Sequence, residues 1–128
     1  MNLEELEAGL PNGLHDAVLR SFSNDPVARI AEFTIDVWLG DLHSSEPSER
    51  ERYRPARLEL FGVAYLIVDD PKKDGAPVQI DACAPDDNED RARQVPESGF
   101  AGRFFVTEWN AFIHFAAAEA RLTWIDTN

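Results

Sequence analysis

The sequence predicts a mainly β domain: an antiparallel sheet of six to seven strands, folded as a sandwich or a partly open barrel, with one short N-terminal helix. Three observations carry this. Residues 27–39 alternate, with Ala31, Phe33, Ile35, Val37 and Leu39 on one face and Glu32, Thr34 and Asp36 on the other; at helical spacing the five apolar residues would point to all sides. Residues 63–68, Val-Ala-Tyr-Leu-Ile-Val, are apolar on both faces, as in a central strand. Turn clusters recur between such runs, at Pro11-Asn12-Gly13, Asn24-Asp25-Pro26 and residues 69–75. A sheet of that size must bury its apolar face against a second sheet or a helix.

The elements follow in order. Residues 3–8 read as a helix, capped by Asn2 with Glu5 three residues on and ended by Gly9. Leu14 to Ser23 reads as a strand, with Leu14, Asp16, Val18 and Arg20 on one face and His15, Ala17, Leu19 and Ser21 on the other. The turn at 24–26 leads into the 27–39 strand as a hairpin, and Trp38 falls on that strand's polar face. Gly40 to Pro55 is a polar loop, or a loop holding a short helix capped by Ser48. Arg57 to Val68 is one long strand or a bent pair, with Gly62 as the place for a bulge. Val78 to Cys83 alternates with Val78, Ile80 and Ala82 inward, residues 84–101 form a second polar loop, and Phe104 to Val106 is a strand. Residues 109–121 fit either a helix, which would make the fold α+β, or two strands joined near Glu119. The hairpin is preferred because the preceding elements form sheet.

A chain of 128 residues fits one domain, 1–128. Twelve Lys and Arg face 24 Asp and Glu, a formal net charge of -12, and each half of the chain carries 6 basic and 12 acidic residues. Such a surface repels nucleic acid and anionic membranes, and favours cations or a basic protein partner. Cys83 stands alone, so no intrachain disulfide forms, and it reads as a small buried hydrophobe. The acidic start, Met1 to Leu6, lacks the apolar stretch of a signal peptide, and the longest apolar run is far short of a membrane span. A cytoplasmic location is expected.

Chemistry is sparse. Asp86, Asn88, Asp90 and Glu97 match positions 1, 3, 5 and 12 of a calcium loop, but Arg91 stands where glycine is needed and Arg93 follows. The segment reads as a solvated acidic loop. His15, His43 and His114 are not spaced as metal ligands, and no nucleophile elbow or phosphate loop occurs. No metal, cofactor or catalytic residue is expected. His15 and Asp16 are neighbours on a strand and should point to opposite faces, which argues against their pairing.

The segment Leu10-Pro11-Asn12-Gly13-Leu14-His15-Asp16-Ala17, followed by a strand, an Asp-containing turn and an alternating strand, resembles small bacterial proteins of the toxin-immunity type and related domains of unknown function. The resemblance covers the first third of the chain. It implies an acidic β-rich protein that blocks a basic toxin by binding it. The residues themselves point first to a non-enzymatic binding domain, with Glu32, Asp36, Trp38, Asp86, Asp87 and Asp90 as contacts for a basic partner. Two alternatives stay open. One is a small enzyme or ligand-binding barrel in which His15, Asp16 and His114 converge on a pocket. The other is a structural subunit that forms a homodimer.

Overall fold

A computed structural model of the chain describes residues 1–71, 76–86 and 88–125, with only the backbone of 82 and 83. It is mainly β. Its elements are α1 (Leu3–Ala8), β1 (Ala17–Asp25), β2 (Ile30–Trp38), α2 (Pro47–Arg50), β3 (Tyr53–Phe61), β4 (Tyr65–Val68), β5 (Val78–Pro85), β6 (Phe100–Val106), β7 (Ala111–Ala117) and β8 (Glu119–Trp124). Among the described residues the eight strands form one antiparallel sheet in the order β4-β7-β6-β5-β1-β2-β3-β8, and the sheet is not closed.

Topology turns on one corner. β3 runs into β4, and β7 runs into β8 through Ala118 alone. Yet β3 pairs with β8, and β4 with β7. The segments 53–68 and 111–124 therefore make a single bent ladder. Across the bend the Ala118 N–H donates to the Phe61 carbonyl at 2.9 Å and the Ala64 N–H to the Ala116 carbonyl at 2.8 Å. Gly62 takes the bend at φ +65°, where a Cβ would lie 2.8 Å from the Ala118 methyl.

Folding at this corner turns both halves of the sheet onto one core. Phe33, Phe104 and Phe115 are fully buried, and Phe33 lies 5.6 Å from Phe104 and 6.3 Å from Phe115 by ring centroids. Their neighbours Ile35, Leu58, Leu60, Ile80, Val106 and Ile113 are also fully buried. α1 adds Leu3 and Leu6 to this core, and its capping box between Asn2 and Glu5 is complete. Leu3 and Phe115 lie close over Gly102, where a Cβ would sit 2.9 Å from the Phe115 ring.

Several expectations are corrected. The strand expected at Leu14 begins at Ala17, because Gly13 and Asp16 take φ near +60° and hold a turn. Ala17 and Leu19 share one buried face, as read, but Leu14 reaches the core from the turn rather than from the strand, and a register shift between Leu19 and Ser21 ends the alternation. The two C-terminal strands exist but do not pair with each other, so they are not a hairpin. The count rises from six or seven to eight, the stretch that allowed one long strand or a bent pair dividing at the corner into β3 and β4. α2 starts at Pro47 with Glu46 as its cap, not Ser48. The expectations for the side chains of Ala82 and Cys83, for Asp87 and for turn residues 72–75 lie outside the described residues.

The corner yields a test. Gly62→Ala forces a methyl into φ +65° and against Ala118. It should cost about 1–3 kcal/mol of stability, read as a lower urea midpoint at unchanged slope.

Candidate functional site

The densest group of functional side chains lies on the outer face of β4, β7 and β6. On β7, Ile113 and Phe115 point inward, so His114 points outward, between Ile67 of β4 and Arg103 of β6. An outward residue on an antiparallel sheet is normally wet, but His114 is only 8% exposed. The cover comes from the segment after β5. Asp86 Oδ1 accepts from the Asn88 N–H at 3.3 Å and Asn88 Oδ1 from the Arg91 N–H at 3.1 Å. These short-range bonds double the chain back and lay Arg91 over the Tyr65 ring, 5.7 Å from its centroid.

Arg91 then holds Asp86 with two hydrogen bonds, Nε to Oδ2 at 3.1 Å and Nη2 to Oδ1 at 3.2 Å. The Tyr65 hydroxyl donates to Asp86 Oδ2 at 2.7 Å. The Asp86 side chain is 0% exposed. Burial alone would raise its pKa, but donation from Arg91, Tyr65 and the Asn88 N–H outweighs that and holds it at about 2, against an ordinary 3.8. The same contacts work oppositely on Tyr65. Burial and the Asp86 carboxylate push its phenol up to about 12, with Arg91 opposing.

Arg91 Nη2 also lies 3.2 Å from His114 Nδ1, and His114 Nε2 lies 2.8 Å from Asp69 Oδ2. A guanidinium only donates. In this contact Nδ1 accepts, which places the ring proton on Nε2, donated to Asp69. Phe112 flanks the ring at 5.7 Å and itself carries the Arg103 guanidinium 4.8 Å above it. A histidine acting as general base needs a free lone pair. Here Arg91 takes it, and the Arg91–His114–Asp69 chain ties the covering segment, through β7, to the residue that follows β4.

Elsewhere the structure places the expected residues as follows. Glu32 pairs with Arg57 at 2.8 Å, and Asp36 accepts from Arg20 Nε at 2.7 Å, so both acids on the polar face of β2 are met by cations. Trp38 lies on that face as expected but is buried, not open for contact. Its Nε1 donates to the Arg50 carbonyl at 2.8 Å, under the segment that carries α2. Gly40 lets that segment close, since a Cβ there would overlap the Arg50 carbonyl. Asp86 is buried rather than presented by a solvated loop, Asp90 is exposed, and Asp87 is outside the described residues.

His15 and Asp16 do meet, with Nε2 3.5 Å from Oδ2, contrary to expectation. The reason is the turn at Asp16, whose φ of 60° breaks the strand alternation. Asp81 of β5 joins them, and one ligand atom from each of the three lies within 4.8 Å of the others. Gln79 Nε2 donates to Asp16 Oδ1 at 2.8 Å. His114 is not part of this group; its partners are Asp69 and Arg91. Nearby on β3, burial and then the charges of Asp16, Glu51 and Asp36 push the Tyr53 phenol up.

Two clefts flank α1. One, of about 400 Å³, has Leu6, Leu10, Phe61, Leu122 and Trp124 among its walls, with Glu5 and Glu119. The other, of about 450 Å³, is formed by Leu3, Pro85, Phe100 and Ala101 with Glu4 and Glu7.

No protein-family model, no curated protein and no solved structure matches this chain.

Sequence reasoning singled out Asp86 and His114 but missed Tyr65, Asp69 and Arg91. The spacing Asp86-x-Asn88-x-x-Arg91 was a usable signal for a chain reversal that returns an arginine to its aspartate. The partners Tyr65 and Asp69 come from a strand paired across the corner, which no local spacing reveals.

The network sets a pH dependence. Because Asp86 titrates near 2 when folded and near 3.8 otherwise, its contribution is full above about pH 4 and is lost as pH falls through 2. Asp86→Asn should cost about 1–3 kcal/mol at neutral pH, with the gap to the unaltered chain closing between pH 4 and 2 in acid titrations. Tyr65 contributes fully below pH 10 and ceases to as pH rises through about 12, so Tyr65→Phe should flatten the alkaline loss of stability. Nitrogen NMR of the neutral His114 ring should show the proton on Nε2 and a bare Nδ1; the opposite tautomer contradicts the Arg91 contact.

Proposed function

We propose that this chain is a non-enzymatic cytoplasmic binding domain that docks a basic protein partner at α1. The observation that carries the reading is that both clefts flank the same acidic helix. Each offers apolar wall residues beside carboxylates: Glu4 and Glu7 on one side, and on the other Glu5 and Glu119, the latter 3.8 Å from the Met1 ammonium in a wall that also holds Arg121. A partner segment with lysines or arginines beside apolar anchors fits that arrangement, because the anchors leave water while the cations stay at the rim. The net charge of -12 steers such a partner and speeds its encounter. Blocking a basic toxin, as the resemblance of residues 10–17 implies, is the specific form this reading takes. The locked state of His114, with both ring nitrogens engaged, supports binding over catalysis.

The contact face thereby moves from the polar face of β2 to α1. The test is a titration of the labelled full chain with a synthetic amphipathic lysine–leucine peptide, followed by NMR. Amide shifts should concentrate at Leu3, Leu6, Phe100 and Leu122. Glu4→Lys combined with Glu119→Lys should weaken capture at low salt, with the difference fading toward about 1 M salt, where the Debye length is about 3 Å. Shifts confined to residues 41–51 and 88–97, or capture unchanged by the two reversals, would reject the α1 face.

A further inference from the structure

We propose that His15, Asp16 and Asp81 form a binding site for a first-row divalent transition ion of the zinc class. This goes beyond the docking role and does not depend on it. The three ligands come from two chain segments that the β1–β5 pairing brings together, through Ala17 opposite Ile80 and Val18 opposite Gln79. Both segments depart from regular strand at the site. Asp16 ends a turn, and Asp81 is the residue skipped where the β5–β6 register shifts between Ile80 and Ala82. These departures place an imidazole and two carboxylates on the same side.

The ligand atoms lie within 4.8 Å of one another. Zinc bonds of about 2.0–2.2 Å hold two ligands at most about 4.4 Å apart. The remaining closure is within reach of side-chain rotation, since His15 and Asp81 are exposed. Gln79 fixes Asp16 through Oδ1 and leaves Oδ2 facing His15 Nε2. That is the part an outer hydrogen bond plays in metal sites: it orients a ligand that bonds through its other atom. Among the described residues no lysine or arginine forms an ion pair with Asp16 or Asp81, whereas neighbouring Asp36 is met by Arg20. One imidazole and two carboxylates suit zinc and its neighbours. They are too few oxygens for calcium, which takes six to eight. Three protein ligands also leave a coordination position for water or a partner's side chain.

The experiment is calorimetric titration of Zn²⁺ into the full chain in a non-chelating buffer, paired with histidine NMR. The unaltered chain should bind one ion saturably, and the His15 ring signals should move while those of His43 and His114 stay. His15→Ala and Asp81→Asn should each lower affinity at least about tenfold, and Gln79→Ala by about 10–100-fold. His43→Ala should bind as the unaltered chain does. All four changes lie on exposed or half-exposed side chains, and circular dichroism should confirm an unchanged fold. Absence of saturable binding in the unaltered chain would overturn the proposal. Full affinity in both His15→Ala and Asp81→Asn would overturn it too, placing the ion on the general acidic surface.

Discussion

The bend at Gly62 and Ala118 is the constraint on which the other features rest. A sheet of eight strands presents more apolar face than α1 alone can cover. By folding the ladder of 53–68 and 111–124 across a corner, the chain uses one half of the sheet to cover the other. Each of the core phenylalanines then leaves water, worth about 1.5–3 kcal/mol apiece, and the rings of Phe104 and Phe115 approach to 4.8 Å. The cost is one residue in the left-handed region, which glycine meets without strain. The open end is closed by α1, whose two leucines are the only large apolar groups it has to offer.

Bending the sheet creates a second problem on its outer surface, and the two halves solve it differently. On β1, β2 and β3 the outward charges pair across strands, Glu32 with Arg57 and Asp36 with Arg20. The Glu32–Arg57 pair sits near water, so it contributes little and costs little, whereas the Asp36 carboxylate is half-buried beside Arg20. On β4, β7 and β6 the outward residues are aromatic or amphipathic: Tyr65, Phe105, Phe112 and His114. There the segment after β5 folds over them, which takes Asp86 out of water. A buried carboxylate is tolerable only when its oxygens are met. Tyr65, Arg91 and the Asn88 N–H meet them, and the low pKa of Asp86 is the mark of that success.

How far the sequence reveals this follows from the range of each interaction. The alternation over 31–37 and the cap at Asn2 are local, and both appear in the structure as read. Gly62 was legible as a point of bending because glycine at a break in alternation has few other uses. The starting point of β1 was not legible, because Asp16 sits in a conformation that nothing nearby requires. Once the strand is begun three residues late, the facing of His15 and Asp16 changes, and two groups judged unable to meet are brought together. The pairing of β7 with β4, and of β8 with β3, depends on the corner and cannot be read from residues 109–121 alone. Trp38 shows a subtler limit. Its face was right, but a face becomes buried or exposed according to the loop above it, and the loop's path depends on Gly40 fitting against the Arg50 carbonyl.

The distribution of charge follows from the same logic. Carboxylates that folding removes from water are paired, because leaving them bare would cost several kcal/mol; Asp86 is the clearest case, and half-buried Asp36 follows it. Glu4, Glu49, Glu89 and Asp90, which have no ion-pair partner among the described residues, lie exposed on α1, α2 and the segment after β5. There water and salt screen their mutual repulsion over roughly 8 Å, so a net charge of -12 burdens stability little. A surplus that costs folding so little is free to act outward. It forms a field that extends from the acidic helix and the open loops, while the interior chemistry stays neutralised beneath Arg91. The protein therefore keeps two kinds of acid apart: those that hold the fold, and those that face what comes to it.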